Sequence, residues 1–325
     1  MDYVRWGILG AAKFAREHLA PALHLGRRGR LVGLATSTPD KAAPFEELVP
    51  DITVFDTYDA LLASDAIDAV YIPLPNHLHV EWALKAIAAG KHVLVEKPLG
   101  LKASDFDAVI EARNASGLHV AEAYMVVHHP QWQKARALLQ DGAVGELVQI
   151  DAVFSYNNAA DTGNIRNRAE MGGGAIPDIG VYTYGTARFV TGEEPSEVLS
   201  TDITWEEGVD VWSHITARFP SCHFAAVNSM RMINRQEVNI QGSTGWIRLT
   251  APFNAGVFDT ARVELHRPGL ETEVFRWPGV NQYVLQAEAF NAAVLDGAAY
   301  ACPLEFSRGT QSMIDMVFAK SGRAG

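Results

Sequence analysis

Val4-Arg5-Trp6-Gly7-Ile8-Leu9-Gly10 runs directly into Ala11-Ala12-Lys13-Phe14-Ala15-Arg16-Glu17-His18-Leu19-Ala20. The first stretch is an apolar strand ending in glycine; the second is alanine-rich with helical period. Working outward, a second apolar run, Leu31-Val32-Gly33-Leu34-Ala35-Thr36, leads into turn residues Ser37-Thr38-Pro39-Asp40. Ala69-Val70-Tyr71-Ile72 and His92-Val93-Leu94-Val95 give two more buried strands, with a helix over residues 80–89 that should stop at Gly90 in a left-handed cap. Strands separated by helices define βαβ units and a parallel sheet, the Rossmann arrangement.

Beyond residue 122 the pattern changes. A helix over residues 131–139 is followed by alternating runs at 148–154, 196–204, 214–219, 222–230, 237–241 and 246–249, interrupted by helical stretches at 177–190 and 285–295. Tight turns such as Phe219-Pro220-Ser221-Cys222 imply hairpins and an open, mainly antiparallel sheet. The fold class is therefore an α/β Rossmann domain over residues 1–123 and an α+β domain over 124–325.

The 325-residue chain carries a net charge of −11 and 48% apolar residues, enough to bury two cores. An acidic chain without a basic block does not suit nucleic acid or anionic lipid. No apolar run approaches membrane-spanning length, and the N-terminus enters its strand with no leader, so a cytoplasmic location is expected. Cys222 and Cys302 form neither a disulfide framework nor a zinc knuckle. His77-x-His79 and His128-His129 lack a third ligand at suitable spacing, so no metal is expected.

A Rossmann turn lets backbone N–H groups approach a dinucleotide pyrophosphate. Its G-x-G-x-x-G/A pattern maps onto Gly10, Ala11, Ala12, Lys13, Phe14 and Ala15, with alanine replacing the middle glycine. A plain strand-to-helix turn stands beside that reading. The second strand ends in Thr36, Ser37 and Thr38 with Lys41 nearby. Neutral hydroxyls and a lysine accommodate a phosphate where an acidic residue would repel it, so NADP is favoured, with NAD possible. Ordinary turn capping is the alternative use of those hydroxyls.

Oxidising an alcohol requires a base for the hydroxyl proton and a cation for the developing oxyanion. Lys97 ends a parallel strand, at the edge where open α/β sheets bind ligands, and Pro98 restricts its backbone. Asp178 and Tyr182 lie four apart on a helix that Pro177 could begin, placing both on one face. A tyrosine works as a base near neutrality when an ammonium favours its phenolate. The expected catalytic set is Tyr182 as acid/base, Lys97 as its tuner and oxyanion partner, and Asp178 as an orienting acceptor. A solvated lysine, a packing aromatic and a helix-start carboxylate are the corresponding structural readings.

Residues 68–79 and Gly90-Lys91-His92-Val93-Leu94-Val95-Glu96-Lys97-Pro98-Leu99, with Glu122-Ala123-Tyr124-Met125, residues 172–182 and Gln241-Gly242-Ser243-Thr244-Gly245, strongly resemble the Gfo/Idh/MocA oxidoreductase family. Tyrosine at 182 resembles the branch of glucose–fructose oxidoreductase and the xylose and dihydrodiol dehydrogenases. The resemblance implies the same Lys97, Asp178 and Tyr182 trio. It places Pro73, Asn76, His79 and Glu96 by the cofactor, with His79 alternatively a helix-start group. It also implies a polar pocket for a neutral sugar or polyol formed by Tyr124, His128, Tyr156, Asn164 and Arg166, where a surface ion pair to Glu170 is the plainer use of Arg166. Aldose dehydrogenation is the leading activity. A nucleotide-sensing regulator and a tight-cofactor sugar–sugar oxidoreductase are the alternatives. Pairing through the C-terminal sheet into a homodimer or homotetramer is expected from the same resemblance.

Overall fold

The computed structural model describes residues 2–322. Two compact units emerge, one comprising residues 1–125 and 282–308, the other 126–281 and 309–325.

The first unit is built on a parallel sheet of six strands: β1 (Val4–Leu9), β2 (Gly29–Ala35), β3 (Thr53–Phe55), β4 (Ala69–Ile72), β5 (His92–Glu96) and β6 (Val120–Ala123). Their order is β3-β2-β1-β4-β5-β6. That order reverses direction beside β1, the crevice where doubly wound sheets receive ligands. All four residues of β4 are buried, as strands covered by helices on both faces must be. Helix His79–Ala88 ends as its sequence requires, with Gly90 at φ +75°.

The opening helix differs from expectation. Residues Ala15–Leu19 form a π-helical turn that continues as the α-helix Ala20–Leu25, whose first turn holds Pro21. The chain also returns to this unit after leaving it. Helix Gln282–Asp296 sets Phe290 against Trp6 in a tilted contact with ring centroids 4.8 Å apart, and Trp6 Nε1 donates to Asn291 Oδ1 at 2.9 Å. A single division at residue 123 therefore misplaces residues 282–308: the sheet needs this helix to cover a fully buried indole and accept its N–H.

The second unit carries eight strands: β7 (Leu147–Asn157), β8 (Glu197–Glu206), β9 (Val209–Arg218), β10 (His223–Ser229), β11 (Arg231–Gly242), β12 (Trp246–Leu249), β13 (Ala261–Arg267) and β14 (Glu271–Trp277). The order is β14-β13-β12-β11-β7-β10-β9-β8, antiparallel except where β10 lies parallel to β7. Helices Pro130–Gln140, Val181–Thr191 and Leu304–Lys320 contribute buried apolar residues, among them Trp132, Phe189 and Val317. Along β9, Val211, Ser213, Ile215 and Ala217 are buried while Trp212, His214, Thr216 and Arg218 are not, the alternation of a sheet with one covered face.

Candidate active site

In the first unit, β1 ends at Gly10, whose φ of +102° an L side chain rarely adopts. Ala15 behind it is fully buried, which gives the close helix–strand packing that the last position of the motif serves. Past the turn lies a cavity of about 420 Å³, lined by Ala11, Ala12, Lys13, Arg16, Asp40 and Lys41 among others. Small side chains at a helix start, with two ammonium groups and a guanidinium against one carboxylate, fit the phosphates of a dinucleotide. Arg16 and Asp40 belong to this lining though nothing in the motif singles them out. Phe14 is absorbed by ring contacts to His18 at 4.9 Å and Tyr283 at 5.7 Å. The hydroxyl of Thr36 accepts from Thr38 N–H at 3.2 Å, the turn-capping use, while Ser37 and Thr38 are exposed.

Lys97 follows β5, held through its backbone. Its N–H donates to Glu96 Oε2 at 3.2 Å, and Glu96 Oε1 accepts from the buried Tyr71 hydroxyl at 2.6 Å. Glu96 thus orients the strand end. His79 is fully buried, with Nδ1 2.8 Å from the Pro98 carbonyl and Nε2 2.7 Å from that of Leu74. Burial lowers its pKa to about 4, so the ring is neutral and has one N–H to donate to one of these carbonyls. The placement of His79 beside the cofactor is corrected accordingly: its ring meets backbone on both sides and has no surface left for a ligand. Pro73 and Asn76 remain half-buried after β4. Tyr124 is 1% exposed and packs against Phe306 at 6.0 Å, so its assignment to the substrate pocket is also corrected to a core position.

Glu122, present in the family stretch but given no role there, grips the same segment. Its Oε2 accepts from Leu99 N–H at 2.7 Å, and the side chain is buried. Burial pushes its carboxyl up to about 7, against the opposing pull of Leu99 and Ser307. Between the ordinary glutamate range and pH 7 the folded protein holds a proton that the unfolded chain releases, so stability declines as pH rises through that window. Glu122→Gln will flatten this slope, which denaturant midpoints measured at several pH values between about 4.3 and 7 will show.

In the second unit, Asp178 lies in a π-helical turn, Ile176–Gly180, and Tyr182 in the α-helix Val181–Thr191 that continues it. Strand β7 receives both. Phe154 and Tyr156, two apart and so on one face, meet them in turn. Phe154 faces the Tyr182 ring at 5.8 Å, and the Tyr156 hydroxyl donates to Asp178 Oδ2 at 2.7 Å. Phe253 completes an aromatic wall, 6.0 Å from Tyr182 and stacked on Phe154 at 4.8 Å.

Arg166 Nε donates to Asp178 Oδ1 at 2.9 Å, so Arg166 pairs with Asp178 and not with Glu170. The Asp178 charge raises the Arg166 pKa, with a further contribution from Tyr182. Burial, then Asp178, raises that of Tyr156. Asn164 is spent locally: its Oδ1 accepts from Arg166 N–H at 3.1 Å and its Nδ2 donates to Asp161 at 3.0 Å, fixing the turn that delivers Arg166. His128 is half-buried, and burial lowers its pKa to about 4. One face thus gathers Tyr156, Arg166, Asp178 and Tyr182: a phenol beside a carboxylate whose two oxygens are both oriented.

Among the described residues no three histidine, cysteine, aspartate or glutamate side chains gather as metal ligands, and no helix is long and apolar enough to cross a membrane.

A nucleotide-sized cavity at a Rossmann turn, and an oriented acid–phenol pair on a second mixed sheet, together describe a dinucleotide-dependent redox enzyme. Residues 4–124 match the model of the oxidoreductase family with an NAD-binding Rossmann fold, and residues 132–248 match the GFO/IDH/MocA C-terminal domain. The chain belongs to the GFO/IDH/MocA oxidoreductase family. It is 34% identical to a dTDP-3,4-didehydro-2,6-dideoxy-alpha-D-glucose 3-reductase of Saccharopolyspora spinosa, over 96% of this chain and 93% of that protein. A D-xylose 1-dehydrogenase (NADP(+)) of Haloferax volcanii is 29% identical over 98% of each chain. The structure of KijD10, a 3-ketoreductase from Actinomadura kijaniata in complex with NADP and TDP-benzene, aligns with a TM-score of 0.90 at 30% identity over 98% of each chain.

Proposed function

We propose that this protein is an NADP-dependent oxidoreductase moving hydride between nicotinamide and a secondary alcohol or hemiacetal carbon of a neutral sugar or polyol, with aldose dehydrogenation as the leading reaction. The observation that carries it is the Tyr156–Asp178–Arg166 arrangement beside Tyr182. In this reading Tyr182 takes the hydroxyl proton, and Lys97 is assigned the ammonium that favours phenolate and oxyanion. Asp178 is assigned the role of orienting acceptor for a substrate hydroxyl. Arg166 has donors beyond the one spent on Asp178 and offers them to a second hydroxyl. Ala11, Ala12, Lys13, Arg16 and Lys41 would hold the cofactor phosphates. Bound NADP supplies or receives the hydride.

NADP will bind more tightly than NAD. One charge-assisted hydrogen bond to the extra phosphate contributes about 1.5–3 kcal/mol, or roughly tenfold or more in Kd. Fluorescence titration with both reduced cofactors checks this, and equal constants would remove Lys13, Arg16 and Lys41 from that role.

The identity to the Saccharopolyspora and Actinomadura enzymes supports a second reading, reduction of a keto-sugar carried on a nucleotide. A panel of aldoses, polyols and keto-sugars followed at about 340 nm separates the two by direction and substrate. The half-exposed face of the eight-stranded sheet supports assembly into a homodimer or homotetramer, and the two free thiols support a cytoplasmic setting.

A further inference from the structure

Asp210 is a carboxylate in an apolar strand: Val209-Asp210-Val211-Trp212. Strict alternation along β9 would turn it to the same side as Trp212, yet it is 1% exposed. The register explains this. Asp210 pairs with Trp205 and Trp212 with Thr204, so β9 carries one extra residue beside Asp210. A bulge of this kind re-aims a side chain.

The side chain reaches the glycine turn that precedes Asp178. Asp210 Oδ2 accepts from Ile176 N–H at 2.6 Å, and the N–H of Ala175 also donates to the carboxylate. Oδ1 lies against Gly174, whose φ is +129° and where an added Cβ would fall inside the van der Waals shell of that oxygen. Gly174 in turn holds both halves of the ion pair. Its N–H donates to the Arg166 carbonyl at 3.0 Å, and its carbonyl accepts from Asp178 N–H at 3.2 Å. One residue therefore ties the backbones of Arg166 and Asp178 together, and Asp210 is the peg on which that residue rests.

We propose that Asp210 is a positioning residue: through Gly174 and Ile176 it fixes the backbone from which Arg166 and Asp178 meet, and so sets how the acceptor beside Tyr182 addresses the substrate. The hydrogen bonds described for the carboxylate all come from main-chain N–H groups. The kinetic part of this inference rests on the sugar oxidoreductase reading; the structural part does not.

Asp210→Asn keeps the shape and removes one acceptor. It should lower kcat roughly 10- to 100-fold, as a sub-ångström to ångström shift of positioned groups does, while the Kd for NADPH stays within about twofold, since only the second unit is touched. A role in general stability alone would lower the unfolding midpoint and leave kcat of the folded enzyme intact; that result overturns the proposal, as does a parallel loss of cofactor affinity. If Asp210→Asn does not fold, Gly174→Ala takes its place under the same criteria.

A second measurement needs no substrate. Unfolding midpoints of Asp210→Asn, Arg166→Ala and the double variant should shift by less than the sum of the single shifts, because the turn and the ion pair act as one unit. Additive shifts overturn the proposal. A wild-type protein inert toward every sugar refutes the enzymatic reading, and this cycle alone then decides the role of Asp210.

Discussion

Tyr182→Phe will cut kcat by roughly 10²–10⁴-fold, the range for losing a positioned acid/base, with the Kd of NADPH unchanged. The expectation follows from where the ring lies. Tyr182 is 5% exposed and walled by Phe154 and Phe253, so phenylalanine fills the same volume and only the hydroxyl is lost. Because packing survives, the effect isolates proton transfer from folding. Single-turnover hydride transfer separates chemistry from product release. A near-normal rate would move the base elsewhere, with Tyr156 a poor substitute, since burial and Asp178 both raise its pKa.

Arg166→Ala will act on substrate binding more than on cofactor binding. A charged donor lost from a sugar hydroxyl costs about 1.5–3 kcal/mol, which is roughly 10–100-fold in KM. Stability will also fall, because Asp178 is left without its counter-ion. Breaking a fully buried pair costs about 3–5 kcal/mol, but Arg166 is 39% exposed against 12% for Asp178. Solvent screening reduces the expected loss to about 1–2 kcal/mol. Arg166→Lys should recover part of the charge but not the planar fork. A variant that weakens NADPH more than sugar would place Arg166 outside the substrate site.

The parallel core of the first unit is legible because β1, β2, β4 and β5 are apolar runs bounded by turn residues. Strands β3 and β6 are not: Thr53-Val54-Phe55 is three residues long, and Val120-Ala121-Glu122-Ala123 holds a carboxylate in place of a β-branched residue. Tertiary contact with Leu99 N–H, absent from local sequence, is what makes Glu122 tolerable there. Strands β13 and β14 are rich in charge, and their pairing is a property of the sheet edge they extend. The π-helical turns at Ala15–Leu19 and Ile176–Gly180 have no periodic signature, since one extra residue per turn leaves the apolar pattern nearly intact.

The candidate site divides the same way. Asp178 and Tyr182 are readable from spacing, and Arg166 from its polar loop. Tyr156 is named with them in the expected pocket, but its pairing with Asp178 is not readable, and Asp210 is not singled out at all, because both contacts are made across strands folded against the Asp178 turn. A charge inside Val209-Asp210-Val211 was the available signal, and only a bulge reveals which way it points.

The helix that seals Trp6 bears on synthesis. A ribosome releasing this chain has delivered the entire β7–β14 sheet before Asn291 and Phe290 emerge. Domains that are contiguous can fold as they exit, amino end first. Here the first sheet waits for an element that follows the whole second sheet in the chain, and a fragment stopping at residue 125 would lack the ring and the amide that meet Trp6.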